Sequence, residues 1–321
     1  MYDLKIITGT ANPRLAEDIA QRLGMSVADT DVRRFADGEI RVQINESVRG
    51  ADVFVVQPTA PPANENLMEL LILIDALKRA SARRIVAVIP YYGYSRQEKK
   101  TAGREPITAK LVADLITTAG AQRLLVVDLH VPSIQGFFNL PVDHLSAGPY
   151  LAESLLQAGY GDHRTVVVSP DVGAVGSATA FADRLKASLA IIAKRRPEPN
   201  QSEVMEVIGD LEGKRAILVD DMIDTAGSLV TGAEALRERG AAEIYACATH
   251  AVFSHNAPDR LQNSCLQEVV ITDTIPLPAE KQRPKIKVLS LAPILAEAIH
   301  RVHEDLSVST LFDKHWVEDK R

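Results

Sequence analysis

The chain has 321 residues, 46% of them hydrophobic and 24% charged, with a formal net charge of −6. At roughly 150 residues per domain, that length implies two domains of ordinary soluble composition. Neither the charge nor any apolar run approaching the ~18 residues of a membrane span points to nucleic acid or a bilayer as partner.

Short β-branched apolar runs alternate with longer helical patterns. From the N-terminus, Leu4–Ile7, Val53–Val56, Arg84–Ile89 and Leu124–Val127 read as buried strands, and Arg14–Leu23, Asn64–Ala80 and Ala109–Ala119 as helices. A break falls near Leu145–Tyr150. The alternation then resumes with strands Thr165–Val168, Leu189–Ile192, Ala216–Val219, Ile244–Ala248 and Val269–Ile271, and helices Ser177–Lys186 and Leu229–Gly240. This order predicts an α/β chain of two tandem domains, each a mainly parallel sheet flanked by helices. Residues 1–147 form the first and 148–321 the second, with the last helix able to pack back on the first. His300 and His303, in that late helical run, read as surface or packing residues. Cys247 and Cys265 suggest neither a disulfide framework nor a zinc site, and Met1–Thr10 lacks the pattern of a signal peptide. The expectation is a cytoplasmic protein.

Several strands end in polar or charged residues: Asp128-Leu129-His130, Ser169-Pro170-Asp171, Lys194-Arg195-Arg196 and Asp220-Asp221. In open parallel sheets the ligand crevice lies outside the carboxyl ends of the strands, so ionisable groups gathered there have a chemical use. The run Ile217–Leu229 carries the most weight. A buried strand ends on Asp220 and Asp221, and Asp224-Thr225-Ala226-Gly227-Ser228 leads into a helix. Backbone amides at a helix start, with small hydroxyl side chains, make an anion site. The acids repel a phosphate and instead suit ribose hydroxyls or a hydrated Mg²⁺. One turn can therefore hold a sugar phosphate at both ends.

This run resembles the ribose-phosphate-binding fingerprint of the phosphoribosyltransferase fold. Phe35-Ala36-Asp37-Gly38-Glu39, Tyr94–Lys100, Arg104–Lys110, Asp128-Leu129-His130, Ile134–Phe138 and Ser307-Val308-Ser309 together resemble the ribose-phosphate pyrophosphokinases, in one register from Ile6 to Phe312. The resemblance implies an enzyme that moves the β,γ-diphosphoryl group of ATP to the 1-hydroxyl of ribose 5-phosphate, with Mg²⁺ as cofactor. It implies that Asp220, Asp221, Asp224, Thr225, Ala226, Gly227 and Ser228 bind ribose 5-phosphate. Arg96, Gln97 and His130 then contact ATP, and Phe35, Asp37 and Glu39 reach ATP on a neighbouring subunit, which makes the protein a homo-oligomer, expected as a hexamer. His130 and Asp171 are the implied metal ligands. Lys194 and Arg196 are the implied catalytic pair, at the start of a Pro-rich polar stretch, Arg195–Ser202, that reads as a mobile lid. Ser47, Arg49, Ser81, Ser307 and Ser309 match the family's regulatory site for phosphate or ADP. The diphosphate loop departs from the family pattern: Asp171-Val172-Gly173-Ala174 carries alanine for the usual second glycine, and Ser177 stands where a basic residue is usual. A Cβ at 174 is expected to crowd a phosphate that approaches the backbone.

Overall fold

The computed structural model describes residues 2–195 and 204–312. They divide into two compact units. The first holds the residues up to Leu145, Thr274–Pro276 and the described residues from Ser290 on; the second holds those of Ser146–Asp273 and Leu277–Leu289.

The first unit opens with β1 (Leu4–Thr8) and α1 (Pro13–Arg22), where Asn12 caps the helix by accepting from Leu15 N and Pro13 sets the first turn. β2 (Thr30–Arg34) and β3 (Ile40–Ile44) form a separate antiparallel hairpin. Then come β4 (Asp52–Val56), α2 (Ala63–Arg79), β5 (Arg84–Ile89), α3 (Thr108–Ala119), β6 (Arg123–Val127) and β7 (Val142–Leu145). The main sheet is wholly parallel, in the order β1-β4-β5-β6-β7. Every residue of β4 is buried, so both faces of this sheet are covered, as its unbroken apolar run requires. Val53 and Val55 share one core with Leu70, Leu73 and Leu77 of α2 and with Val112 and Ile116 of α3.

The second unit runs α4 (Gly148–Gln157), β8 (Thr165–Ser169), α5 (Val175–Leu185), β9 (Ser188–Arg195), β10 (Val204–Ile208), β11 (Arg215–Ile223), α6 (Gly227–Glu238), β12 (Glu243–Ala251), α7 (Ala257–Gln262), β13 (Glu268–Thr272) and β14 (Ile286–Leu289). Its strand order is β10-β9-β8-β11-β12-β13-β14, parallel except for the β9–β10 edge. From β8 the chain proceeds outward to β9 on one side, and from β11 to β12 on the other. The order therefore reverses between β8 and β11, and such a reversal point is where open α/β sheets hold ligands. The first unit's sheet runs in one direction only and has no such point.

α8 (Ala292–His303) belongs to the first unit and packs on α1. Its end is tied to the start of β4. Asp52, 1% exposed, accepts from Arg83 at 2.8 Å, from Arg84, and from Nδ1 of His303 at 3.1 Å. Burial alone raises the Asp52 pKa, but the hydrogen bonds from Arg84 and His303 outweigh it and hold the carboxyl below its ordinary range. Stability from this group is thus present above pH 3.8 and is lost as pH falls through the depressed value. Asp52→Ala leaves Arg84 without its buried partner and is expected to cost about 3 kcal/mol, measured by denaturant unfolding at pH 7. An Asp52→Ala protein as stable as the parent would reduce this cluster to decoration.

The predicted α/β alternation is present, with three kinds of difference. The hairpin β2–β3 and strands β7, β10 and β14 lie outside the predicted strands, because their apolar residues, such as Val32, Val42, Val142, Val207 and Val288, sit among polar or charged ones that hide the pattern. β9 continues through Lys194 to Arg195 because β10 supplies backbone partners, Met205 opposite Lys194. β11 does not end at Asp221 but runs to Ile223, since β12 continues alongside, with Met222 opposite His250.

Candidate active site

The acids of the Asp220 turn lie where the sheet opens. β11 pairs with β8 only as far as Leu218 opposite Val168, while its pairing with β12 goes on to Ile223. Asp220 and Asp221 therefore stand on a strand held on one side alone. Asp221 N donates to Asp220 Oδ1 at 2.8 Å. Burial, then the adjacent Asp221 carboxyl and the charge of Asp171, push the Asp220 carboxyl up to about 8. Asp171 thus belongs to the same acidic neighbourhood.

Beyond β11 the chain turns into α6 through Ala226, at φ 60°, a left-handed conformation that an alanine adopts only when its surroundings hold it. Here the hold is plain: Ala226 is 4% exposed and packs in the second unit's core with Ile223 and Leu229. The segment after β12 pins the turn from outside, with Phe253 N donating to Ile223 O and Ser254 N to Asp224 O, at 3.1 and 3.0 Å. The result is a firmly held turn whose small residues, Gly227 and Ser228, open α6, a helix start with no side-chain cap on its first amides.

The Asp171 loop follows β8 and leads into α5. Its own groups close it: Asp171 Oδ1 accepts from Ala174 N at 2.9 Å, and Ser169 Oγ donates to Asp171 O at 2.7 Å. Ala174 has φ −88° and ψ 1°, which any residue adopts, so its Cβ costs the backbone nothing. Ser177 turns its hydroxyl back onto Ala174 O at 3.2 Å.

In the first unit, the loop after β5 is locked to the loop after β4. Gly93 N donates to Thr59 Oγ1 at 2.7 Å, Thr59 N donates to Tyr91 O at 2.9 Å, and the buried Tyr92 hydroxyl donates to Ala109 O at 2.9 Å. A Cβ on Gly93 would fall 2.3 Å from Thr59 O, so the close approach demands glycine. This frame presents Arg96 and Gln97 on an exposed loop, with Gln97 accepting from Thr108 Oγ1 at 2.6 Å at the start of α3. His130 is exposed just past β6. Asp128, at φ 34°, bends the chain there, and Leu129 N donates to Nε2 of His144, at 2.9 Å from β7. His144 is thus a positioning group that the sequence pattern did not single out.

Phe35, Asp37 and Glu39 form the tip of the β2–β3 hairpin, where Phe35 N donates to Glu39 O and Glu39 N to Asp37 Oδ1. Phe35 is 52% exposed. Ser47 and Arg49 are exposed before β4, and Gly50 N donates to Ser81 O at 3.0 Å, which joins that loop to Ser81. Ser307 and Ser309 share a hydrogen bond of 2.7 Å. Lys194 has its backbone placed in β9; Arg196 lies outside the described residues. Among the described residues no three His, Cys, Asp or Glu side chains converge to hold a metal ion by themselves, and no helix is long and apolar enough to cross a membrane.

Two family models match the chain. The N-terminal domain of ribose phosphate pyrophosphokinase matches residues 4–120, and the phosphoribosyl synthetase-associated domain matches residues 195–313. The chain is 63% identical to a ribose-phosphate pyrophosphokinase of Caldanaerobacter subterraneus subsp. tengcongensis, over 96% of this chain and 98% of that one. It is 56% identical to one of Clostridium tetani, over 97% of each. A crystal structure of phosphoribosylpyrophosphate synthetase from Mycobacterium smegmatis, 48% identical, superimposes with a TM-score of 0.89 over 94% of this chain and 99% of that one.

Proposed function

The chain belongs to the ribose-phosphate pyrophosphokinase family and makes 5-phosphoribosyl 1-diphosphate, an activated ribose for nucleotide biosynthesis, from ribose 5-phosphate and ATP; from that premise we propose how its residues divide the work. The sugar phosphate lies across the Asp220 turn. Asp220, Asp221 and Asp224 face its hydroxyls, and the amides of Thr225, Ala226, Gly227 and Ser228 take its 5-phosphate. The observation that supports this is the parting of β8 from β11 beside a firmly held turn into α6. Arg96, Gln97 and His130 contact ATP, with Phe35, Asp37 and Glu39 supplied by a neighbouring subunit.

In the reaction the sugar's 1-hydroxyl oxygen attacks the β-phosphorus. A bond forms there, the bond from the β-phosphorus to the oxygen on the α-phosphate breaks, AMP departs, and the hydroxyl proton is released to solvent. No side chain is assigned as general base. Most of the rate comes from holding the two substrates in line and from cations placed where charge builds, the role given to Lys194 and Arg196.

Mg²⁺ is the proposed cofactor, with His130 and Asp171 as its protein contacts. Asp171 fits an ion that takes one or two protein oxygens and completes its shell with substrate oxygens and water, and it adds to the negative charge around Asp220, whereas His130 would meet so hard an ion through water. When bound, the ion offsets the charge of the ATP oxygens. Ser47, Arg49, Ser81, Ser307 and Ser309 are the proposed contacts of phosphate or ADP as effectors. The assembly is a homohexamer and the location cytoplasmic.

The purified protein, given Mg²⁺, ATP and ribose 5-phosphate without any nucleobase, is expected to release one AMP per phosphoribosyl diphosphate formed. No AMP from these substrates, together with nucleotide formation when preformed phosphoribosyl diphosphate and a nucleobase are supplied instead, would point to a salvage phosphoribosyltransferase. Neither reaction from the assembled protein would indicate a non-catalytic regulatory member.

A further inference from the structure

We propose that Arg260 is a further ribose 5-phosphate-binding and turn-positioning residue, an inference that rests on the reading of Asp220–Ser228 as the sugar-phosphate turn. Arg260 comes from α7, which packs on α6 and is seated by its buried residues Ala257, Pro258 and Leu261. Its Nη1 donates to Thr225 O at 2.8 Å. The same Nη1 lies 3.2 Å from where a Cβ on Gly227 would stand. The guanidinium therefore rests against the first residue of α6, on the turn whose amides would take the phosphate.

Its charge is available there. The neighbouring Asp259 is engaged by Arg283 at 2.7 Å, and among the described residues no carboxylate pairs with Arg260. An arginine carries five N–H donors in a planar fork, and the Thr225 contact uses one. A phosphate dianion on the amides of residues 225–228 would thus meet a cation within the same small space, where hydrogen bonds between charged partners are short and strong. The contact also offsets the negative end of the Thr225 carbonyl, which would otherwise repel an arriving anion.

The test uses the full-length protein with Mg²⁺ and ATP. Arg260→Ala is expected to raise KM for ribose 5-phosphate about 10- to 100-fold, as loss of a hydrogen bond to a charged group implies. KM for ATP and kcat should stay within about twofold, because a group that binds ground state and transition state alike acts on KM. Arg260→Lys, which keeps the charge without the fork, should recover part of the loss. Added salt should narrow the gap between parent and Arg260→Ala. A thermal melt of each variant accompanies the kinetics. The inference fails if Arg260→Ala leaves KM for ribose 5-phosphate unchanged, or if both substrates weaken together with a lowered melting temperature and no rescue by lysine. Asp221→Asn separates the two levels: if it weakens ribose 5-phosphate and Arg260→Ala does not, only Arg260 loses its role; if neither does, the sugar-phosphate turn itself is misassigned.

Discussion

Lys194→Ala is expected to lower kcat about 10³-fold, near 4 kcal/mol of transition-state stabilisation, the scale found when a cation is withdrawn from phosphoryl transfer. The fold should survive, because Lys194 is held in β9 by backbone pairing with β10, and alanine keeps every backbone group. β9 lies next to β8, whose end carries the Asp171 loop, so the residue belongs to the same margin of the second unit's sheet as the acids. Initial rates of AMP release measure the effect, with circular dichroism and thermal melting to establish that the variant is folded. An interaction made only in the transition state lowers kcat and kcat/KM equally, so KM for both substrates should move little. Turnover within a few-fold of the parent would remove Lys194 from the mechanism.

The second large effect is a pH dependence centred on Asp220. Its carboxyl is raised from 3.8 to about 8 by burial and by the neighbouring Asp221. Between those values the folded, ligand-free protein keeps a proton that the unfolded chain releases, so this group makes stability fall as pH climbs from about 4 to about 8. To accept two sugar hydroxyls the group must ionise. Ribose 5-phosphate binding at pH 7 is therefore expected to release close to one proton, and affinity should weaken up to tenfold for each unit below 8. Calorimetry in two buffers of different ionisation enthalpy reads that proton directly. Asp220→Asn should abolish the release and weaken the sugar phosphate, yet melt at a higher temperature than the parent, with the larger gap at pH 8 than at pH 5. A parent protein that binds ribose 5-phosphate without proton release would show that Asp220 is ionised before the ligand arrives.

The two cases also mark what a linear reading of the chain can reach. Asp220 to Ser228 were legible because acids, small residues and a helix start follow one another without interruption, so local sequence and local structure coincide. The buried strands were legible for the same reason: Val53–Val56 and Val166–Val168 are apolar throughout because both faces are covered. The hairpin at Thr30–Ile44 was not, since a strand exposed on one side mixes charge with apolar residues and its pairing partner, not its composition, makes it a strand. Arg260 and His144 were hidden for a different reason. Each acts through one hydrogen bond to a backbone atom of a distant loop, and nothing adjacent in sequence announces the partner. The raised Asp220 pKa belongs to the same class, since enclosure by the fold, more than the sequence, sets it.

The return of α8 to the first unit has a bearing on how the protein is born. A chain emerging from the ribosome has all of β1 to β7 in hand before the second unit is translated, yet Asp52 still lacks His303, and α1 still lacks the helix that covers it. Among the described residues, the unit begun first is finished last. Nascent chains halted short of Ala292 should expose the apolar side of α1, while every described residue of the second unit, through Leu289, has already been made.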